Sequence, residues 1–148
     1  MEIMKLSTRG QYGTRALLEL ALYEGKGPVQ LKDIAQRQQI STMYLEHLIT
    51  PLIAAGIVRS ARGAKGGVWL ARPAQEIKLS EVIQLLEGSV APVDCLNDPK
   101  CCSRTELCVT RDIWQELKEA IDGVLESTTL KDLVERHKRK EQAAEARL

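Results

Sequence analysis

At 148 residues the chain holds about one domain's worth of hydrophobic core and is short for an enzyme that encloses a substrate cavity. With no Phe, two Trp and three Tyr, the core falls to Leu, Ile, Val and Ala, the palette of packed helices, and strand-rich architectures are disfavoured. The net charge of +1 conceals an asymmetry: residues 1–80 carry eleven Lys/Arg against six Asp/Glu and residues 81–148 ten against fourteen, so the first half is the one fitted to an anion.

Apolar residues recur at helical spacing through residues 7–23, at Tyr12, Ala16, Leu17, Leu20 and Ala21, with Ser7 or Thr8 to cap the start and Gly25 and Gly27 to end the run. The apolar stretch from Ala16 to Leu22 is short and broken by Glu19. It suits neither a signal peptide nor a membrane span, and a cytoplasmic protein without membrane contact is expected. After Pro28, Leu31, Ile34 and Ala35 mark a second helix. The pattern breaks near Gln39 and Ile40, and Ser41 caps a third helix with Tyr44, Leu45, Leu48 and Ile49 on its apolar side. Pro51 removes a backbone hydrogen bond inside that run, so a kink or helix end is expected near Thr50.

The stretch from Arg59 to Arg72 alternates and turns like a basic hairpin, with Gly63, Gly66 and Gly67 allowing a tight tip. Helix, turn, helix and hairpin in this order make a winged helix-turn-helix, mainly α with a small two-stranded wing. In such a unit the third helix enters the major groove with its N-terminal side chains at base edges, while Arg62 and Lys65 reach phosphates or the minor groove. The same parts also build protein-binding winged helices. Tyr44 is placed to meet a base or phosphate, although a Tyr at helical spacing is more often core with its hydroxyl at the rim. His47 reads as a base contact or as a solvated surface residue. Glu46 repels phosphate and makes sense there only by accepting from a cytosine amino group or by rejecting wrong bases.

Ser80 is expected to cap a short helix through Leu86, followed by irregular loop to Cys108. A strong helix then spans residues 110–126, with Ile113, Leu117, Ala120, Ile121 and Val124 on one stripe. So long a stripe needs a partner, and the same helix of a second copy would give a two-fold homodimer suited to a palindromic double-stranded DNA operator. A further short helix is expected from Thr128 to Val134. The domains are therefore 1–88 for DNA binding, 89–109 for the cysteine loop, 110–135 for dimerisation and a terminal helix, and 136–148 for a flexible tail.

All four cysteines, Cys95, Cys101, Cys102 and Cys108, fall within that one loop. In a reducing compartment clustered thiols are better ligands or redox groups than disulfides. Four thiolates suffice for a [2Fe-2S] or [4Fe-4S] cluster and also for tetrahedral zinc, and a metal-free thiol switch remains open. The adjacent Cys101 and Cys102 are awkward for a single zinc ion because neighbouring side chains diverge. An enzyme lacks support, since neither His47 nor His137 forms a plausible dyad with a cysteine and no small-molecule substrate is evident.

The segments Lys5-Leu-Ser-Thr-Arg-Gly-Gln-Tyr12, Ile40-Ser-Thr-Met-Tyr-Leu-Glu46, Ala55-Gly-Ile-Val-Arg-Ser60, Arg62-Gly-Ala-Lys-Gly-Gly67 and Cys108-Val-Thr-Arg-Asp-Ile-Trp114 together resemble the bacterial Rrf-type, IscR/NsrR-like regulators, across roughly residues 4–135. The resemblance implies a dimeric winged-helix transcription regulator whose iron-sulfur cluster, held by three cysteines, reports redox state, nitric oxide or iron-sulfur supply. It puts the DNA-reading positions on Ser41, Met43, Tyr44, Glu46, His47, Arg62 and Gly63. It puts the thiolates on Cys95, Cys108 and one of Cys101 or Cys102. The sequence departs from the family pattern in two ways. The usual five-residue spacing is met only from Cys95 to Cys101 or from Cys102 to Cys108, and the His that follows the last cysteine in IscR-like members is Arg111 here. In other members a carboxylate near the N-terminus is the fourth ligand, and the comparable place is close to Gln11.

Overall fold

A computed structural model describes residues 5–148, so the first four residues of the domain expected over 1–88 lie outside it. Helix α1 (Thr8–Leu22) starts at Ser7, and its free N-terminal donors are satisfied from a distant element as well as locally. Glu87 accepts from the backbone N–H groups of Ser7 at 2.7 Å and Gly10 at 3.2 Å. Its apolar stripe, Ala16, Leu17 and Leu20, is fully buried, as the periodicity predicts.

Helix α2 (Leu31–Gln38) is too short to stand alone. It is held by buried Ile34 and Ala35 and by Glu19 of α1, which is 8% exposed and pairs with Arg37 at 2.9 Å and Gln38 at 2.7 Å. Gln39 closes it in the left-handed region at φ 57°, where the sequence pattern breaks.

Helix α3 (Thr42–Ala54) does not end near Thr50 but runs on through Pro51. An interior proline costs about 3 kcal/mol. Leu48, Ile49 and Leu52 are buried on that stretch, each contributing roughly 1.5–3 kcal/mol, and this outweighs the missing bond.

Strands β1 (Val58–Ala61) and β2 (Gly67–Leu70) pair antiparallel with Val58 opposite Leu70 and Ala61 opposite Gly67, which is the expected wing. Buried Val29 bridges buried Val68 through two 2.9 Å backbone bonds, fastening the wing's base to the chain entering α2.

Helix α4 (Leu79–Glu87) starts one residue before Ser80, and Ser80 is not its cap. The backbone there pairs instead with a distant strand-like segment: Leu79 donates to Thr128 O at 2.8 Å and Leu130 to Ile77 O at 3.0 Å. That pairing satisfies one of the helix's free N-terminal donors, the Leu79 N–H, from a distant element.

Residues 88–108 are irregular apart from two single 3-10 turns, and α5 (Val109–Ser127) follows without one buried residue. The helix expected to stop at Val134 is α6 (Leu130–Glu145), which takes in most of residues 136–148. A Thr129/Asp132 capping box starts it, and His137 and Glu141, 3.1 Å apart across one turn, continue it. It returns onto α1, with Leu130 fully buried in the common core.

Candidate nucleic-acid interface and cysteine centre

The start of α3 is built from its own sequence. Ser41 accepts from the Tyr44 N–H at 3.0 Å, so the first turn is rigid, and Met43, Glu46 and His47 project into solvent with Met43 69% exposed. Tyr44 differs from them. It is half-buried, its hydroxyl donates to Thr8 Oγ1 at 3.1 Å, and its ring meets Tyr12 edge-on with centroids 6.2 Å apart. The expectation of a rim hydroxyl on a packed ring is met by that geometry.

The wing tip carries Arg62, Gly63, Ala64 and Lys65, all exposed. Gly63 has φ +100°, and a Cβ on Gly66 would overlap the Ala61 carbonyl, so the turn depends on these glycines. Gln30 donates to the Gly66 carbonyl at 2.6 Å and clamps the tip to the start of α2. Arg62 and Lys65 form no ion pair among the described residues, which leaves both charges available.

The four cysteines are all free thiols. Cys95 and Cys108 are half-buried, and Cys101 and Cys102 are exposed. Cys108 stands at the position just before the first turn of α5, with its Sγ 3.1 Å from the Thr110 hydroxyl. The Thr110 hydroxyl, then the Arg111 backbone N–H, holds the thiol below its ordinary pKa, a bias toward thiolate. Arg111 reaches back across the loop, its Nη2 3.4 Å from the Cys95 carbonyl, and its Nε is enclosed without a partner. The thiol donor set suits an iron-sulfur cluster, and the unpaired Nε–H of Arg111 suits an anionic group beside it. Among the described residues, however, no three His, Cys, Asp or Glu side chains are gathered in a metal-binding arrangement.

Helix α5 leaves Val109, Ile113, Trp114 and Val124 exposed, Val124 at 64%, while Leu117 and Ile121 are half-buried. No described helix is long and apolar enough to cross a membrane.

Several contributors were not read from the sequence: Gln30 at the wing, Glu87 as a remote cap, and Thr8 and Tyr12 beside the recognition helix. The Gly10-x-x-Gly13 spacing is the one signal that pointed to a close helix approach, since a Cβ at either position would overlap α4 side chains.

Comparison with known proteins agrees with this geometry. The Rrf2 family, described as iron-dependent transcriptional regulators, matches residues 6–136. The protein rrf2 of Nitratidesulfovibrio vulgaris strain Hildenborough is 47% identical over 131 residues, covering 88% of this chain and 87% of that protein. The structure of CymR, the global cysteine regulator of Bacillus subtilis, superposes with a TM-score of 0.77 at 40% identity over 90% of this chain and 98% of that one. T. potens IscR superposes at 0.74 with 41% identity over 90% and 88%. The chain belongs to the Rrf2 family of transcriptional regulators, which are not enzymes.

Proposed function

We propose that this regulator is a cytoplasmic homodimer that binds a double-stranded DNA operator and adjusts its binding through an iron-sulfur cluster in the cysteine loop. In this reading Ser41, Met43, Tyr44, Glu46 and His47 face the base edges, while Arg62, Gly63 and Lys65 approach the backbone or minor groove. The stripe Ile113, Leu117, Ala120, Ile121 and Val124 joins two copies. The units are 1–88, the loop 89–109 and the segment from 110 onward, in which α6 runs across the boundary expected at 135. The observation that carries the sensor half is the concentration of four free thiols in the loop that leads into α5, with Cys108 immediately before the helix's first residue.

Cys95 and Cys108, with one of Cys101 or Cys102, would hold the cluster, which when bound supplies a redox- and nitric-oxide-reactive iron centre. Arg111 ties the Cys95 backbone to the first turn of α5 and so keeps the two half-buried thiols at one end of the dimer helix.

A second reading, a metal-free thiol or cysteine-responsive regulator, is favoured by one observation: the donors are not gathered among the described residues. Zinc in the same loop is a third occupant with the same ligands. Anaerobic purification with a visible absorption spectrum and iron, sulfide and zinc analysis separates the three. Iron and sulfide in equal amounts support the cluster, zinc alone supports the zinc site, and neither after reconstitution leaves the thiol reading. In parallel, Arg62→Ala should weaken DNA binding and flatten its salt dependence with the fold intact.

A further inference from the structure

Helix α1 presents two stripes. Gly10 and Gly13 face α4, where a Cβ on them would overlap Glu87 and Leu86. With about 100° between successive helix residues, Thr8, Tyr12 and Arg15 share the opposite side. That side meets the first turn of α3: Tyr44 donates to Thr8 at 3.1 Å, Tyr44 and Tyr12 meet edge-on, and the Arg15 guanidinium lies 5.1 Å from the centre of the Tyr12 ring.

Tyr44 is the third residue of α3, on the turn a recognition helix inserts farthest into DNA. A major groove is about 12 Å wide, so groups one ring's breadth from that turn stand at the line of phosphates on the groove's edge. Arg15 is exposed and forms no ion pair among the described residues. Lys5, Arg9 and Arg15 are the charged residues of 5–15, and no carboxylate dilutes them. The partial positive charge of the α1 N-terminus is already met by Glu87, so an anion at this edge must be held by side chains.

We infer that Thr8 and Arg15, with Thr8 braced by the Tyr44 hydroxyl, form a phosphate-binding element of the DNA interface, separate from the wing and beside the base-reading side chains of α3. Arg15 supplies the charge, Thr8 accepts the Tyr44 hydroxyl proton and so keeps its own to donate to the phosphate, and Tyr12 is a positioning residue whose ring face orients the Arg15 fork. This rests on the reading of α3 as the recognition helix and extends the interface onto a helix outside the helix-turn-helix pair.

The test needs no knowledge of the operator, because phosphate contacts act on any duplex. Binding of the full chain to a fluorescein-labelled 30-base-pair duplex of arbitrary sequence is followed by anisotropy across a salt series. Each phosphate neutralised contributes about 0.9 to the slope of log K against log salt. Arg15→Ala and Arg15→Gln should lower the slope by about that amount and weaken binding several-fold with unchanged melting temperature, while Arg15→Lys keeps the slope. Tyr12→Phe should bind as the wild type does, and Tyr12→Leu should lose affinity. Lys26→Ala is the charge-matched control, beyond the far end of α1 and about 20 Å from Thr8 at 1.5 Å per residue. A wild-type slope in both Arg15 variants, or an equal loss in Lys26→Ala, overturns the inference, and a flattened slope in Arg62→Ala alongside it leaves the wing reading standing. A wild-type chain that binds no duplex overturns the DNA-binding reading itself.

Discussion

The Glu87 carboxylate accepts the Gly10 N–H at 3.2 Å and occupies the space that a side chain at position 10 would need. Glu87 is the last residue of α4, and Gly88, at φ +79°, turns the chain toward the cysteine loop. The same carboxylate takes the Ser7 N–H, and the next residue, Thr8, touches Tyr44 of α3. The end of the cysteine loop's leading helix is thus fastened within a few residues of the recognition helix.

Replacing Glu87 by Ala removes the acceptor for two part-buried backbone donors. The expected loss is about 1–3 kcal/mol of folding stability, seen as a lower urea midpoint with an unchanged m value. Glu87→Gln, which retains a carbonyl acceptor, should lose less. Equal stability of Glu87→Ala and the wild type would show that water satisfies those donors as well.

Gly66→Ala sets a methyl group against the backbone carbonyl of Ala61, which cannot move aside as a side-chain tip could. The tip should open and duplex binding should fall at least as far as for Arg62→Ala, while far-UV circular dichroism stays that of the helical core. A variant with wild-type affinity would remove the wing from the interface.

The helix-turn-helix and wing were legible because their signals are local: periodic Leu, Ile and Ala, a serine cap at Ser41, and glycines at a turn. The helix bounds that differ at α3 and α4 have another cause, contacts with elements distant in sequence. Helix α3 continues past Pro51 with Leu52 buried in the core, and α4 begins at Leu79, one residue before Ser80, where the Leu79 N–H is held by the Thr128 carbonyl. Beyond Val134, α6 continues on the intrinsic propensity of its Lys, Arg, Glu and Ala residues, which the charge-rich composition masked. Adjacent Cys101 and Cys102 present the same exposed thiol, so neither spacing nor burial selects the ligand.

Thr129 and Asp132 cap α6 reciprocally, and the Thr129 backbone N–H, then its hydroxyl, holds the Asp132 carboxyl below its ordinary range. A carboxylate with a depressed folded-state pKa contributes stability that is present above its unfolded value, about 3.9, and is lost as pH falls through the lower folded value. The urea midpoints of the wild type and Asp132→Ala should therefore differ at pH 7 and converge below pH ~4. A gap that stays constant into strong acid would assign the effect of the substitution to something other than the charge.

Leu117 lies at the centre of the α5 stripe, with Ile113 and Val124 exposed on either side at 55% and 64%. In a dimer formed through this face, Leu117→Asp buries an unpaired charge at a penalty of several kcal/mol. Light scattering at micromolar concentration should give a dimer for the wild type and a monomer for the variant, with helical content retained. A variant that remains dimeric places the contact on another surface.

In the cysteine loop the two half-buried thiols and the two exposed ones should respond differently to substitution. Cys95 lies within the 3-10 turn Asp94–Leu96 and Cys108 precedes the first turn of α5, both half-buried, whereas Cys101 and Cys102 are exposed neighbours, of which the proposed cluster needs one. Under anaerobic reconstitution Cys95→Ala and Cys108→Ala should each abolish retained iron and sulfide, while one of Cys101→Ala and Cys102→Ala is severe and the other mild. Complete loss in all four variants would instead point to a four-cysteine site. Because the loop joins the base of α5 to Glu87 and through it to α1, emptying the site should change duplex affinity by the 5- to 150-fold typical of coupled sites, roughly 1–3 kcal/mol. Wild-type protein whose affinity is the same with and without iron would separate the two halves of the molecule, leaving a DNA-binding regulator whose cysteine loop serves another purpose.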